Sequence, residues 1–197
     1  MLVITDACFS IAGFLISWIA AFLVAESLGW SLTYQLIGIA SASVFGLAII
    51  SSFPTVTLGQ TRESITPWPI SVWLCVISLF LYTLGQYSVL FWLPNYAITQ
   101  LAAPQVQAGA LIAQFWLGMF LAQLFVAWWV LKIGVRRLVQ IAAAATFLFS
   151  VPLWLYPNIN GLIFLSLLWG FANLALLKIT LSFATELVGA PEARLVS

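Results

Sequence analysis

Residues 106–131 read VQAGALIAQFWLGMFLAQLFVAWWVL, 26 residues without a single charge. A bilayer's hydrocarbon core, about 30 Å thick, is crossed by about 20 apolar residues in a helix. Lipid offers the backbone no hydrogen bonds, so a crossing segment must satisfy its own, which a helix does. A membrane β-barrel would use strands of about 10 residues with alternating polarity. This stretch is longer and continuously apolar, so it reads as one transmembrane helix. The turn that follows, Lys132 to Arg137, leads straight into another apolar stretch.

The same pattern fills the chain. Hydrophobic residues make up 64% of the 197, charged residues 6%, and the mean hydropathy is +1.15. A soluble domain carries about 25% charged residues. This chain cannot cover a water-facing surface, and its natural partner is the lipid bilayer. The sequence predicts six spans: A at 2–25, B at 31–52, C at 70–93, D at 106–131, E at 137–156 and F at 161–185. Glu26 to Trp30, with Gly29, is a polar turn. The longest polar stretch runs from Phe53 to Pro69. Pro94-Asn95 is expected to end span C, since proline cannot continue the hydrogen-bond ladder without a kink. Pro157 to Gly161 is a turn by composition.

The basic residues set the orientation. Arg62, Lys132, Arg136, Arg137 and Arg194 all fall on the face of the N-terminus, and the A–B, C–D and E–F connections hold no Lys or Arg. Both termini are therefore expected in the cytoplasm. Trp30, Trp68, Trp92, Trp128, Trp129 and Trp154 lie near predicted span ends, where an interfacial aromatic belt would put them. The opening Met1 to Asp6 lacks the basic region of a cleavable signal peptide, so span A is expected to serve as its own insertion signal.

Several function classes drop out. Net charge is +1, which argues against nucleic acid. Histidine is absent, so no histidine-held zinc or haem and no Ser-His catalysis is available. An aspartyl intramembrane protease needs two acids in its spans, and Asp6 is the chain's one aspartate. Cys8 and Cys75 lie on different spans without CxxC spacing and read as small core residues. No enzyme activity, cofactor or metal is expected.

Polar groups inside the membrane are costly and mark function or helix pairing. Span C holds Gln86, span D holds Gln114 and Gln123, and span F holds Asn173 and Lys178. By helical rise, Gln86 and Gln114 lie roughly 10–12 Å below the outer ends of their spans, at one level, and Asn173 lies near the bilayer middle. Gln86, Gln114, Asn173 and Lys178 are the candidates for a solute pathway. For the amides the competing role is interhelical hydrogen bonding. For Lys178, the one basic residue within a span, it is snorkelling to the cytoplasmic headgroups. Asp6 and Glu26 sit at the two ends of span A and read as interfacial. Gly38, Ala42 and Gly46 line one face of span B at intervals of four, a surface for close helix packing.

The D–E loop, Leu131-Lys132-Ile133-Gly134-Val135-Arg136-Arg137, resembles in part the cytoplasmic loop signature of the major facilitator superfamily; Gly134, Arg136 and Arg137 match, and Leu131 stands at the signature's aspartate. Longer stretches resemble the TsgA-type transporters of that superfamily. These are Thr5-Asp6 with Phe9-Ser10, Ala12-Gly13 and Ile19 to Leu23; Leu84-Gly85-Gln86 with Trp92 to Ala97; and Ala108-Gly109 through Phe115-Trp116.

The resemblance implies an all-α polytopic membrane protein, six transmembrane helices forming part of a major facilitator bundle. Spans A–F would be about the fifth to tenth of its helices. Residues 1–52 would end the N-terminal half, 53–69 would be the central cytoplasmic loop, and 70–197 would begin the C-terminal half. It further implies a bacterial inner-membrane secondary transporter that moves a small solute by alternating access, with proton coupling and a sugar-like solute in view. The piece alone is expected to be inactive, with the missing helices or further copies as partners. The alternative is an independent six-helix protein that binds or assembles as an oligomer.

Overall fold

The computed structural model describes residues 2–26, 30–51, 69–174 and 176–188. Among these the regular structure is entirely helical: α1 (Leu2–Ala25), α2 (Trp30–Ile50), α3 (Ile70–Leu101), α4 (Gln105–Ile133), α5 (Val135–Leu155), α6 (Ile159–Ala172) and α7 (Leu176–Val188). The expected all-α membrane bundle is present. By length and composition, α2, α3, α4, α5 and the α6–α7 pair can each cross a bilayer, and α1 carries a shorter apolar stretch, Ala7–Leu23. The 53–68 part of the expected central loop, Arg62, Trp68 and Arg194 lie outside the described residues, as do the side chains of Asp6 and Trp30.

The opening span, α4, is the hub. Its small residues let neighbours come to backbone distance. A Cβ on Gly118 would strike the Leu167 carbonyl of α6, and one on Gly170 of α6 would strike the Phe115 carbonyl of α4. The two helices therefore cross glycine to backbone in both directions, the contact that small residues make possible between membrane helices. Around this crossing Phe115, Leu111, Leu162, Leu153 and Trp169 form a buried cluster, with the Phe115 and Trp169 rings 5.0 Å apart.

On its other side α4 carries α1, antiparallel. Gln123 Nε2 donates to Ser10 Oγ at 2.8 Å, the Trp116 ring lies on Gly13, and Gly109 faces Ala21. For Gln123, the helix-pairing role weighed for the amides is the one seen. α2 leans on α1 and exposes Ile39, Phe45 and Ile49 to what would be lipid. The small-residue face of span B is open: nothing lies within 4 Å of a Cβ built on Gly38 or Gly46. Close packing occurs instead at Gly118 and Gly170.

Two helix boundaries differ from the sequence expectation. Span C does not end at Pro94. The helix runs through it to Leu101 and is capped by Ala102 in the left-handed region, φ 51°, whose N–H donates to the Ala97 carbonyl. A single missing N–H is tolerated in a membrane helix that is packed by neighbours, and Leu93 and Ala97 on either side are buried.

Span F, expected as one helix, is broken. α6 stops at Ala172, Leu174 takes φ 43°, and α7 starts at Leu176. A break inside the membrane survives only where its backbone polar groups are buried in protein or partnered. Here Asn173 Nδ2 donates to the Trp169 carbonyl at 2.6 Å, Leu176 N–H donates to the Asn173 carbonyl at 2.6 Å, and Thr146 of α5 donates to the Ala172 carbonyl at 3.3 Å.

The D–E loop shrinks to one residue, Gly134, between α4 and α5. Nearby, the exposed Lys132 ammonium lies 3.8 Å from the centroid of the Trp128 ring, a cation–π contact at the helix end.

Candidate functional site

Among the described residues, α3 borders two sizeable cavities. The larger, about 540 Å³, is a cleft between α3 on one side and α5 with α6 and α7 on the other. Its wall includes Tyr82, Gln86, Thr146, Trp154, Trp169 and Thr180. The smaller, about 150 Å³, is an open pocket lined by four helices: Phe9 comes from α1, Tyr82, Thr83, Gln86 and Tyr87 from α3, Trp116 and Met119 from α4, and Leu177 from α7. Tyr82 and Gln86 belong to both walls.

Gln86 is buried, and its Nε2 lies 3.7 Å from the Met119 sulfur. A thioether is a weak acceptor, so this contact leaves the amide close to its full capacity for a stronger partner. The rings around it hold a fixed arrangement. Phe9 meets Trp116 edge to face at 5.3 Å, and Trp116 is backed by Phe115 at 5.2 Å. Among the described residues, no charged side chain lies on either wall.

The sequence candidates separate on this geometry. Gln86 is on both cavity walls. Gln114 is half-buried on α4 and lines neither. The two amides were expected at one level, but Gln86 meets Met119, five residues deeper than Gln114. The extension of α3 past Pro94 explains this. It adds about two turns, or roughly 12 Å, between Gln86 and the outer end of its helix. Asn173 is fully buried at the α6–α7 break, with its amide nitrogen on its own helix. Lys178 is half-buried on α7 and is absent from both walls, although its neighbour Leu177 lines the smaller cavity and Thr180 the larger. Gly134 forms the helix junction, with Arg136 and Arg137 exposed beside it.

Sequence reasoning missed the aromatic wall. Phe9 and Trp116 were noted only within stretches of family resemblance, and Tyr82, Tyr87 and Met119 carried no signal. An aromatic residue in an apolar span reads as lipid-facing or core until the neighbouring helices are placed.

Comparison with known proteins fits this architecture. The chain is 28% identical over 191 residues to the TsgA homolog of Buchnera aphidicola subsp. Baizongia pistaciae, covering 94% of this chain and 48% of that protein. It is 32% identical over 159 residues to the TsgA homolog of Serratia proteamaculans, covering 75% of this chain and 40% of that protein. It is 28% identical over 200 residues to the TsgA homolog of Yersinia pestis, covering 97% of this chain and 50% of that protein.

The chain is TsgA-like.

The recognition made from the residues, a TsgA-like chain of the major facilitator superfamily, therefore holds. The TsgA-like chain spans about half the length of the curated relatives it matches. No family model matches it, and no solved structure does. Relatives and apolar helices together make it an integral membrane protein.

Proposed function

We propose that this chain carries the central part of a secondary transporter, and that the four-helix cavity beside Gln86 is the path of a small solute. One observation carries the reading. The cavity is lined both by α1, which precedes residues 53–69, and by α3, α4 and α7, which follow them. With 53–69 as the central cytoplasmic loop, 1–52 as the end of one half and 70–197 as the start of the other, the cavity lies at the join of two halves. Alternating access by rocking of repeats exposes such a join to each side in turn. The membrane is the bacterial inner membrane, with both termini in the cytoplasm. Transport belongs to the full-length parent. The larger cleft, walled by α3 and α5, is a seat for helices the parent supplies beyond this chain.

Cysteine labelling tests the path. In a Cys8→Ser/Cys75→Ser background, Thr83→Cys and Leu177→Cys are expected to react with a membrane-impermeant thiol reagent, and Phe45→Cys, on the exposed face of α2, is expected to stay unlabelled. Protection of both cavity positions from both sides of the membrane would overturn the reading. Lys178 remains a pathway candidate because of its place beside Leu177. Lys178→Ala is expected to lower uptake by the parent several-fold, and unchanged uptake would assign the residue to snorkelling.

A further inference from the structure

The smaller cavity has a composition that goes beyond a generic solute path. Four aromatic side chains from three helices, Phe9, Tyr82, Tyr87 and Trp116, line about 150 Å³ together with a thioether, and a single amide, Gln86, reaches in. Drug-sized ligands occupy pockets of about 300–1,000 Å³, so this one holds only a small head group. Among the described residues its wall has no acid to balance a metal ion or a primary ammonium, and no base to meet a carboxylate or phosphate.

Aromatic faces carry negative potential, and a group of them around one pocket attracts a cation without a fixed counter-charge. The cation that suits such a pocket is large and weakly hydrated, because its desolvation costs least. A methylated ammonium meets both conditions. A sugar suits it less: each of its hydroxyls needs a hydrogen-bond partner, and beside Gln86 the described wall offers the Tyr82 and Tyr87 phenols and a Thr83 hydroxyl already donating to the Leu79 carbonyl, while Gln114 is off the wall. Met119 adds a polarisable surface that adapts to methyl groups. Lys178, whose charge would oppose a cation, is absent from the wall.

We infer that the cavity formed by Phe9, Tyr82, Tyr87 and Trp116 binds the head group of a small quaternary ammonium solute, with Gln86 meeting the solute's polar end. This rests on the four-helix cavity being the solute path and names the class of solute that path takes.

The test is equilibrium binding of radiolabelled choline to the purified chain in lipid nanodiscs, competed by tetramethylammonium and by choline's neutral tert-butyl analogue, in which carbon replaces the nitrogen. Saturable choline binding is expected, with the neutral analogue about tenfold weaker or worse. Phe9→Leu and Tyr87→Leu are each expected to weaken choline several-fold and leave the analogue unchanged. Both residues are exposed enough for the fold to tolerate the change. Equal binding of choline and its analogue would overturn the inference, as would indifference to both substitutions or the absence of saturable binding. Thiol labelling of Thr83→Cys and Leu177→Cys separates the two failures. A labelled cavity that ignores choline removes the solute class and leaves the path standing, and an unlabelled one removes both.

Discussion

Gly118→Ala and Gly170→Ala are each expected to cost about 3 kcal/mol or more, and Gly118→Leu or Gly170→Leu to abolish recovery of folded protein. Overpacking in a core ordinarily costs about 1–3 kcal/mol, because side chains can turn away. Here the obstructing atoms are backbone: the Leu167 carbonyl and Phe171 nitrogen face Gly118, and the Phe115 carbonyl faces Gly170. A carbonyl held in a helix ladder cannot rotate, so relief requires the whole helix to move. α6 would separate from α4 and open the cluster of Phe115, Leu111, Leu162 and Trp169. Thermal denaturation in detergent, read by the temperature at which the monodisperse peak is lost, measures the effect. Gly38→Ala and Gly46→Ala are the controls, since nothing lies within 4 Å of a Cβ on either. They are expected to leave the midpoint unchanged or raise it slightly, as alanine is the better helix former. Equal effects at all four positions would show that the α4–α6 crossing is not as tight as described.

Gly134→Val is expected to destabilise the protein by about 1–3 kcal/mol and to disturb the α4–α5 angle. Gly134 has φ 76° and ψ 157°, a backbone region that side chains exclude. It is also the whole connection. Its N–H donates to the Val130 carbonyl, closing α4, and its carbonyl accepts from the Leu138 N–H, opening α5. A residue with a Cβ must leave this conformation, and with no second loop residue to absorb the change the two helices move instead. No atom lies within 4 Å of a Cβ built there, so any loss comes from backbone conformation rather than from packing. Gly85→Ala separates these causes: Gly85 is helical and equally open, and its substitution is expected to be neutral. The same denaturation measurement applies, and a Gly134→Val midpoint equal to that of Gly85→Ala would sink the argument. This glycine was picked out from sequence as one matching position of a loop signature. Its structural reason is the one-residue turn, and Arg136 and Arg137 lie exposed on the first turn of α5.

Span positions were legible because bilayer thickness imposes a length on apolar runs and polar connections punctuate them. α1 matches span A at both ends, and α4 and α5 match D and E to within two residues. The two misjudged boundaries share a cause. Pro94 was read by its local effect on the ladder, yet buried Leu93 and Ala97 hold the helix on through it. The break at Asn173–Leu174 has no proline or glycine to announce it. It depends on Thr146 arriving from α5 and on Asn173 turning back to the Trp169 carbonyl.

Gln86 was identifiable as a polar residue in a costly place, and that cost holds whichever helix lies opposite. Its partners were hidden. An error of two turns at the end of α3 was enough to set it against Gln114 in place of Met119, because level across a bundle accumulates along each helix. The small-residue spacing pointed to span B, but the same kind of spacing, Gly118 with Ala122 and Ser166 with Gly170, is where helices meet.

By itself the sequence determined the solvent, the number of crossings and the TsgA-like ancestry. These follow from composition, run length and residue identity, which are properties of one segment at a time. Only the tertiary structure decided which glycines touch backbone, where span F breaks, and that Phe9, Tyr82, Tyr87 and Trp116 surround one cavity with Gln86. In lipid an apolar side chain is at home facing either the acyl chains or a neighbouring helix. Hydropathy therefore places a helix in the membrane but leaves its rotation and its neighbours open, and those are set by packing between helices.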